Sequence, residues 1–328
     1  MISRYVEEHL NPQGVGDARP TALQIIEDEG AVGALSGKAV LITGCSAGIG
    51  VETAKAMYRS GATLFLTARD LSKAQTALND ILQSNRVHLL EMHLESLASV
   101  RACAANFLSK SRTLNILICN AGMMTPSNLQ TQDGFEAHFG INHLAHFLLF
   151  NLLQPALEAG ATTNFSSRVV MLSSVAHRFS KLNLEDVNCE QNYDGMLAYG
   201  ASKTANIWMA NEVERKYSSR GIHAWSVHPG AVLTELDRNL SEKERAIDHV
   251  NPMKQKLAKT LGQGAATTVW AATAKALEGQ GGGYLEDVQI SKMWEPSNGQ
   301  FSAGFASYAF DTTKAQALWD ISSELIEL

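Results

Sequence analysis

The feature that most limits what this chain can fold into is a short apolar run that stops on a glycine-rich turn. Lys38-Ala-Val-Leu-Ile-Thr43 is followed by Gly44-Cys45-Ser46-Ala47-Gly48-Ile49-Gly50, and residues 51–60 then continue with helical periodicity. An apolar run without polar alternation reads as a strand buried on both faces, and therefore as a parallel one. Strand, glycine turn and helix in that order bring backbone N–H groups and the positive end of a helix dipole to where a pyrophosphate can approach. A glycine-rich turn without a ligand is the alternative; the flanking strand and helix weigh against it.

The alternation repeats, with strands expected over 62–67, 87–92 and 114–118 and helices over 71–82 and 97–108. Crossovers of this kind put helices on both faces of a parallel sheet, so the expected class is α/β, a single Rossmann-type doubly wound sheet. A long helix over 132–158, broken or kinked near Pro155, leads to a strand over 167–172. A long loop over 175–197 precedes a helix ending near 217 and a strand over 222–227. A helix over 264–276, a short strand over 283–285 and a final helix over 311–326 complete a domain spanning 37–328. Residues 1–36, polar and carrying Pro12 and Pro20 with one short helix over 21–29, read as an extension packed on its surface. The charged stretch 235–261 reads as a lid over the substrate.

The totals exclude several classes. A net charge of −6, from 27 basic and 33 acidic residues, leaves no electrostatic footprint for nucleic acid. Cys45, Cys103, Cys119 and Cys189 show neither paired nor metal-ligand spacing and read as free thiols. His143 and His146 are three apart, but no carboxylate or cysteine set completes a metal site, so they read as ordinary helix-face histidines. No stretch of 18 apolar residues spans a membrane, and the N-terminal sequence lacks the order of a signal peptide, which makes the cytoplasm the expected location.

Candidate chemistry centres on Tyr199-Gly200-Ala201-Ser202-Lys203. A Tyr and a Lys four apart share a helix face, and an ammonium beside a phenol favours the phenolate. The pair gains meaning only from its company. Ala68-Arg69 at the tip of the second strand offers a guanidinium for a 2′-phosphate where a carboxylate would favour NAD, which points to NADP(H); an Arg paired with Asp70 or lying on the surface is the alternative. Asn142 lies inside a helix, where Asn is mildly unfavourable, so it faces solvent or has a specific partner.

Taken together, Thr43-Gly-x-x-x-Gly-x-Gly50, Asn120-Ala121-Gly122, Asn142, Ser174, Tyr199-x-x-x-Lys203 and Pro229-Gly230-x-x-x-Thr234 resemble the motifs of the short-chain dehydrogenase/reductase family, in its order and at its intervals. The stretches 133–148 and 314–319 look most like the retinol dehydrogenase and WW-domain oxidoreductase branch, and the leader with Gly44-Cys-Ser-Ala47 is similar to its fungal members. The resemblance implies that Tyr199 is the general acid/base, that Ser174 holds the substrate oxygen, that Lys203 lowers the phenol's pKa and grips the nicotinamide ribose, and that Asn142 holds a water linking Lys203 to solvent. It further implies cofactor contacts at Gly44, Ser46, Gly48, Ile49 and Gly50, at Asn120, Ala121 and Gly122, at Arg69, and at Pro229, Gly230, Val232 and Thr234.

The implied activity is interconversion of a ketone or aldehyde and an alcohol on a lipophilic or polycyclic small molecule, in secondary metabolism for a fungal member. A non-redox cyclisation or elimination, or a catalytically silent nucleotide-binding scaffold, remain as other classes. Family members pair through their long helices, which here are 132–158 and 197–217, so a homo-oligomer is implied. Two departures stand out: Met92-His93-Leu94 replaces the Asp that contacts adenine, and Cys119 replaces the first Asn of Asn-Asn-Ala-Gly.

Overall fold

The computed structural model describes residues 4–232, 234–236 and 251–327. Two helices open the chain, α1 (Val6–Leu10) and α2 (Ala22–Asp28). The regular alternation follows: β1 (Ala39–Ile42), α3 (Ile49–Arg59), β2 (Thr63–Ala68), α4 (Leu71–Ala77), α5 (Asn79–Leu82), β3 (Val87–Glu91), α6 (Leu97–Lys110) and β4 (Ile116–Cys119). Then come a π-helical turn (Phe139–Leu144) running into α7 (Ala145–Gly160), β5 (Ser167–Leu172), α8 (Gly195–Tyr217) and β6 (Ile222–Val227). The C-terminal part holds α9 (Pro252–Leu257), α10 (Leu261–Thr273), β7 (Gly283–Glu286), β8 (Gln289–Ile290) and α11 (Thr312–Leu325).

The strands form one sheet in the order β3-β2-β1-β4-β5-β6-β7-β8, parallel throughout except for the β7–β8 hairpin. Strand order reverses between β1 and β4, and in such sheets ligands bind in the crevice beyond the strands' carboxyl ends at that point. Side chains alternate along each strand. Leu41, Leu117, Val169 and Met171 pack toward α6, α7, α8 and α11, while Val40, Ile42, Ile116, Ile118 and Val170 pack toward α2, α3 and α10. Both faces are covered, which is why β1, β4 and β5 are buried at every position.

Four expectations change in detail. The N-terminal extension adds to the core, since Ile25 and Ile26 of α2 are wholly buried with Ala54, Met57 and Trp270. The long helix starts at Ala137 rather than 132, because Gly134 lies in the left-handed region (φ +84°) and a tight turn forms there. In that turn Thr131 N–H donates to the Phe135 carbonyl (2.8 Å) and Phe135 N–H to the Thr131 hydroxyl (3.1 Å). Pro155 does not break α7: Leu153, Ala156 and Leu157 are buried on either side of it, and such packing offsets the roughly 3 kcal/mol a helical proline costs. The expected helix over 71–82 is divided at Leu78. Of the expected lid, residues 237–250 lie outside the described residues; only its two ends are seen.

Candidate active site

The glycine-rich turn is held by backbone and by contact. Gly44 and Cys45 N–H both donate to the Thr67 carbonyl at 3.0 and 2.9 Å, fixing the turn to the end of β2. Gly44 takes φ +75°, and a Cβ there would lie 2.8 Å from that of Ala121; a Cβ on Gly50 would lie 2.2 Å from the Gly44 carbonyl oxygen. Neither neighbour is a flexible side-chain end, so both positions are closed to any side chain. Gly48 precedes α3 without a side-chain cap; Val51 N–H donates to the Gly48 carbonyl (3.2 Å), and no side chain occupies the positive end of this 11-residue helix, where an anion is favoured.

The turn is tied to its neighbour by Asn120, whose amide donates to the Thr43 carbonyl (2.8 Å), and by Ala121 N–H donating to the Thr43 hydroxyl (2.9 Å). The Thr43 hydroxyl also meets His146 Nε2 (2.9 Å), and because Nδ1 of that neutral ring faces a carbonyl that can only accept, it is Thr43 that donates. His146 Nδ1 carries the ring proton, which it donates to the Asn142 carbonyl (3.0 Å). The fully buried ring is neutral, its pKa pulled down to about 4 by burial. His146 is thus a bridge from the glycine turn to the helix carrying Asn142, not an ordinary face histidine. His143 is also buried, with Nε2 on the Ser322 hydroxyl (2.9 Å). Among the described residues no cluster of His, Cys, Asp and Glu could hold a metal ion.

Asn142 sits in the π-helical turn, and its side chain is committed. Oδ1 accepts from Met123 N–H (2.8 Å), while Nδ2 donates to the Met123 carbonyl (3.1 Å) and to the Ser202 hydroxyl (3.0 Å). Of the two readings of a mid-helix Asn, the specific partner is the one observed. A water leading to Lys203 would have to use what those bonds leave free.

Ser174 ends β5, and Tyr199 and Lys203 come one turn apart from α8. The close approach of α8 to the neighbouring loop depends on Gly195, where a Cβ would be 2.5 Å from the Thr125 carbonyl. Tyr199 and Lys203 are 6% and 4% exposed. Lys203 Nζ lies 5.5 Å from the Tyr199 ring centroid and donates to the Leu172 carbonyl (3.3 Å). Ser174, beside the phenol, favours its ionisation. Burial dominates both titrations: Tyr199 is pushed up to about 12, with the Ser174 hydrogen bond acting against that, and Lys203 is pulled down to about 8. Here burial outweighs the phenol-acidifying effect expected from the Tyr–Lys spacing. The phenol is a protonated donor at neutral pH, with a mostly charged ammonium near enough to favour the anion left when the proton moves.

One cavity joins Ser173, Ser174 and Tyr199 to Ile49 and to His228, Pro229, Gly230, Val232, Thr234 and Leu236 of the segment after β6. The Ser174 and Tyr199 side chains thus face the same space as Ile49 at the start of α3. Thr234 also accepts from Leu236 N–H (3.1 Å), a local capping role. Arg69 lies apart, exposed at the tip of β2. Asp70 is not its partner: that carboxylate caps α4 by accepting from Lys73 N–H (2.9 Å) and the Ser72 hydroxyl (2.7 Å). His93, where the adenine-contacting Asp was expected, lies between Glu91 (3.0 Å) and Glu95 (3.5 Å), and the Glu91 hydrogen bond raises its pKa.

The sequence reading missed His228, His138 and His177. His228 lines the cavity, with Nδ1 buried and unbonded and its pKa brought to about 3 by burial. His138 accepts from Thr125 N–H (3.1 Å), pairs with Glu136 (2.7 Å) and lies edge-on to the Tyr199 ring at 5.9 Å. His177 holds the Ser174 carbonyl (2.6 Å) and accepts from Ala306 N–H (3.0 Å). The Ala306–His177 bond joins segments 129 residues apart, so no local spacing signals it, and the short-range bonds of His138 and His177 follow no catalytic spacing.

A doubly wound sheet with a glycine-rich turn and a Ser-Tyr-Lys group at its crevice defines a nucleotide-dependent oxidoreductase acting on alcohol or carbonyl groups. The chain belongs to the short-chain dehydrogenase/reductase family, whose sequence pattern, "short chain dehydrogenase", matches residues 38–245. The short-chain dehydrogenase/reductase prx1 of Penicillium rubens is 43% identical over 325 residues, 99% of this chain and 95% of that protein. Oxidoreductase calI of Penicillium decumbens is 41% identical, covering 100% and 98%. Human retinol dehydrogenase 12 is 35% identical, covering 89% and 87%. Among solved structures, a Mycobacterium paratuberculosis protein superposes with a TM-score of 0.68 at 30% identity, over 91% of this chain and 97% of that one. These relatives bear out the resemblance to fungal and retinol dehydrogenase members. No helix of the described residues is long and apolar enough to cross a membrane.

Proposed function

We propose that this protein is an NADP(H)-dependent enzyme that interconverts a ketone or aldehyde and an alcohol on a lipophilic small molecule, in fungal secondary metabolism. The observation that carries this reading is the shared cavity: Ser174 and Tyr199 face the same space as Gly230, Val232 and Thr234. Arg69 is not engaged by Asp70, which leaves its guanidinium at the tip of β2 for a 2′-phosphate. Exposed Phe179, Met196 and Leu197, on and beside the loop leading to α8, support an apolar substrate.

When bound, the nicotinamide supplies or takes up the hydride. Tyr199 gives its proton to the carbonyl oxygen during reduction and takes it from the alcohol during oxidation. Ser174 holds that oxygen and stabilises the charge growing on it. Lys203 stabilises the phenolate left behind and would hold the nicotinamide ribose, while Asn142 fixes Met123 and Ser202 around that lysine. Tyr199→Phe removes the proton and should cut turnover about 10²- to 10⁴-fold, with NADPH Kd by fluorescence nearly unchanged. A variant as fast as the wild type would reject the role given to Tyr199.

A further inference from the structure

The N-terminal segment does more than cover a hydrophobic face. Arg19 is 4% exposed, and its guanidinium donates to the carbonyls of Gly14 (3.0 Å), Leu257 (2.8 Å) and Ala258 (2.6 Å), backed by Asp17 at 2.8 Å. Gln263, buried at the start of α10, completes the joint: Nε2 donates to the carbonyls of Asp17 (3.0 Å) and Arg19 (2.9 Å), and Oε1 accepts from Gly16 N–H (3.2 Å). A buried guanidinium bonded to three carbonyls on two separate segments is a fixed joint, because each acceptor would otherwise be orphaned.

The segment so clamped, 257–264, is the one that holds the loop after β6. Lys259 N–H donates to the Ala231 carbonyl (2.8 Å), and Lys259 bridges Val232 in parallel. The Lys259 side chain lies under Gly230, where a Cβ would be 2.8 Å from its Cδ, Cε and Nζ, and its ammonium reaches Asp287 (2.8 Å), which also has His9 at 3.7 Å. Val232 in turn packs on Gly264, with Cγ2 only 2.5 Å from where a Cβ would stand.

We propose that residues 9–19 are a working part of the cofactor site, a strap that fixes the Gly230–Val232 loop by way of 257–264, with Arg19 as its positioning residue. The inference rests on reading that loop as the nicotinamide contact. Without the strap the loop samples other arrangements, and affinity falls by the fraction of molecules in which it is competent.

The test is Arg19→Met, which keeps the stem and loses the donors. Asp17→Asn, which removes the charge behind the guanidinium, serves if the first variant does not fold. Hydrogen–deuterium exchange without cofactor should quicken in peptides covering 229–232 and 257–261 and stay unchanged over 39–59. NADPH Kd and KM should rise about tenfold if the competent fraction falls to about a tenth, while the carbonyl substrate's KM moves far less. A folded variant with wild-type exchange at 229–232 overturns the strap, whichever nucleotide the protein uses. Quickened exchange with an unchanged Kd also overturns it, since the strap would then be structural only. Failure of the wild type to bind NADPH would reject the proposed function and leave the exchange result to decide the coupling.

Discussion

Lys203 offers the sharpest test, because its burial moves a titration into a reachable pH range. With the ammonium pulled down to about 8, roughly nine tenths of the free enzyme carries the charge at pH 7 and roughly one tenth at pH 9. In the proposed mechanism the charge matters in reduction because it stabilises the phenolate formed when Tyr199 gives up its proton; the phenol itself, at about 12, stays protonated throughout. The quantity to follow is kcat/KM for NADPH at saturating carbonyl, which reports groups of the free enzyme. It should be level up to about pH 7.5 and fall about tenfold between pH 8.5 and 9.5, the slope of a single proton lost. Lys203→Met should be slow at every pH and lose the alkaline limb. A wild-type profile still level at pH 9.5, with the protein folded, would refute the argument that burial sets this titration.

Three further outcomes follow from the same geometry. Arg69→Ala should weaken NADPH by about 2 kcal/mol, roughly thirtyfold in Kd, the size of a lost charge-assisted hydrogen bond, and leave NADH almost unaffected; titration of both nucleotides reads the ratio. Gly50→Ala puts a methyl 2.2 Å from a backbone oxygen that cannot move aside, so cofactor binding should be lost even at temperatures where circular dichroism still shows a folded chain. Ile26→Ala, in the N-terminal helix, should cost about 2–5 kcal/mol in urea unfolding because its side chain is wholly buried; a cost under about 0.5 kcal/mol, usual for surface positions, would mean that the extension is only draped on the domain.

The sheet was legible because a parallel strand buried on both faces leaves an apolar run that glycine or a polar turn must end, as at Ile42, Cys119 and Val227. The proximity of Ser174, Tyr199 and Lys203 was legible because the chemistry proposed for them fixes residue types at fixed spacing. What the sequence hid was of another kind. His146 looked ordinary since its partner Thr43 is 103 residues away, and only the folded β1–α7 contact reveals the bond. The burial of Ile25 and Ile26 was hidden by the polar residues around them, and α10, which covers them, follows more than two hundred residues later. The extent of the helix before α7 was misread because Gly134 and the Thr131 hydroxyl close a turn that helical periodicity does not register.

The histidines around the site bear on how the alkaline limb is assigned. His143 and His228 are brought to about 3, His146 and His177 to about 4, all by burial, so none of these four changes charge between pH 6 and 10. Their neutrality is needed for the bonds they make: protonated at Nε2, His146 could no longer accept from Thr43, nor His177 from Ala306 N–H. Glu286 does titrate in the range, raised by burial to about 7, and it accepts from Gly304 N–H (2.6 Å) in the segment that leads to Ala306 and so to His177. Its proton is gained as pH falls, so any effect it has on Ser174 appears as an acid limb. The two limbs therefore have separate owners, and Glu286→Gln, which holds the neutral form at every pH, should abolish an acid limb while leaving the alkaline one where Lys203 sets it.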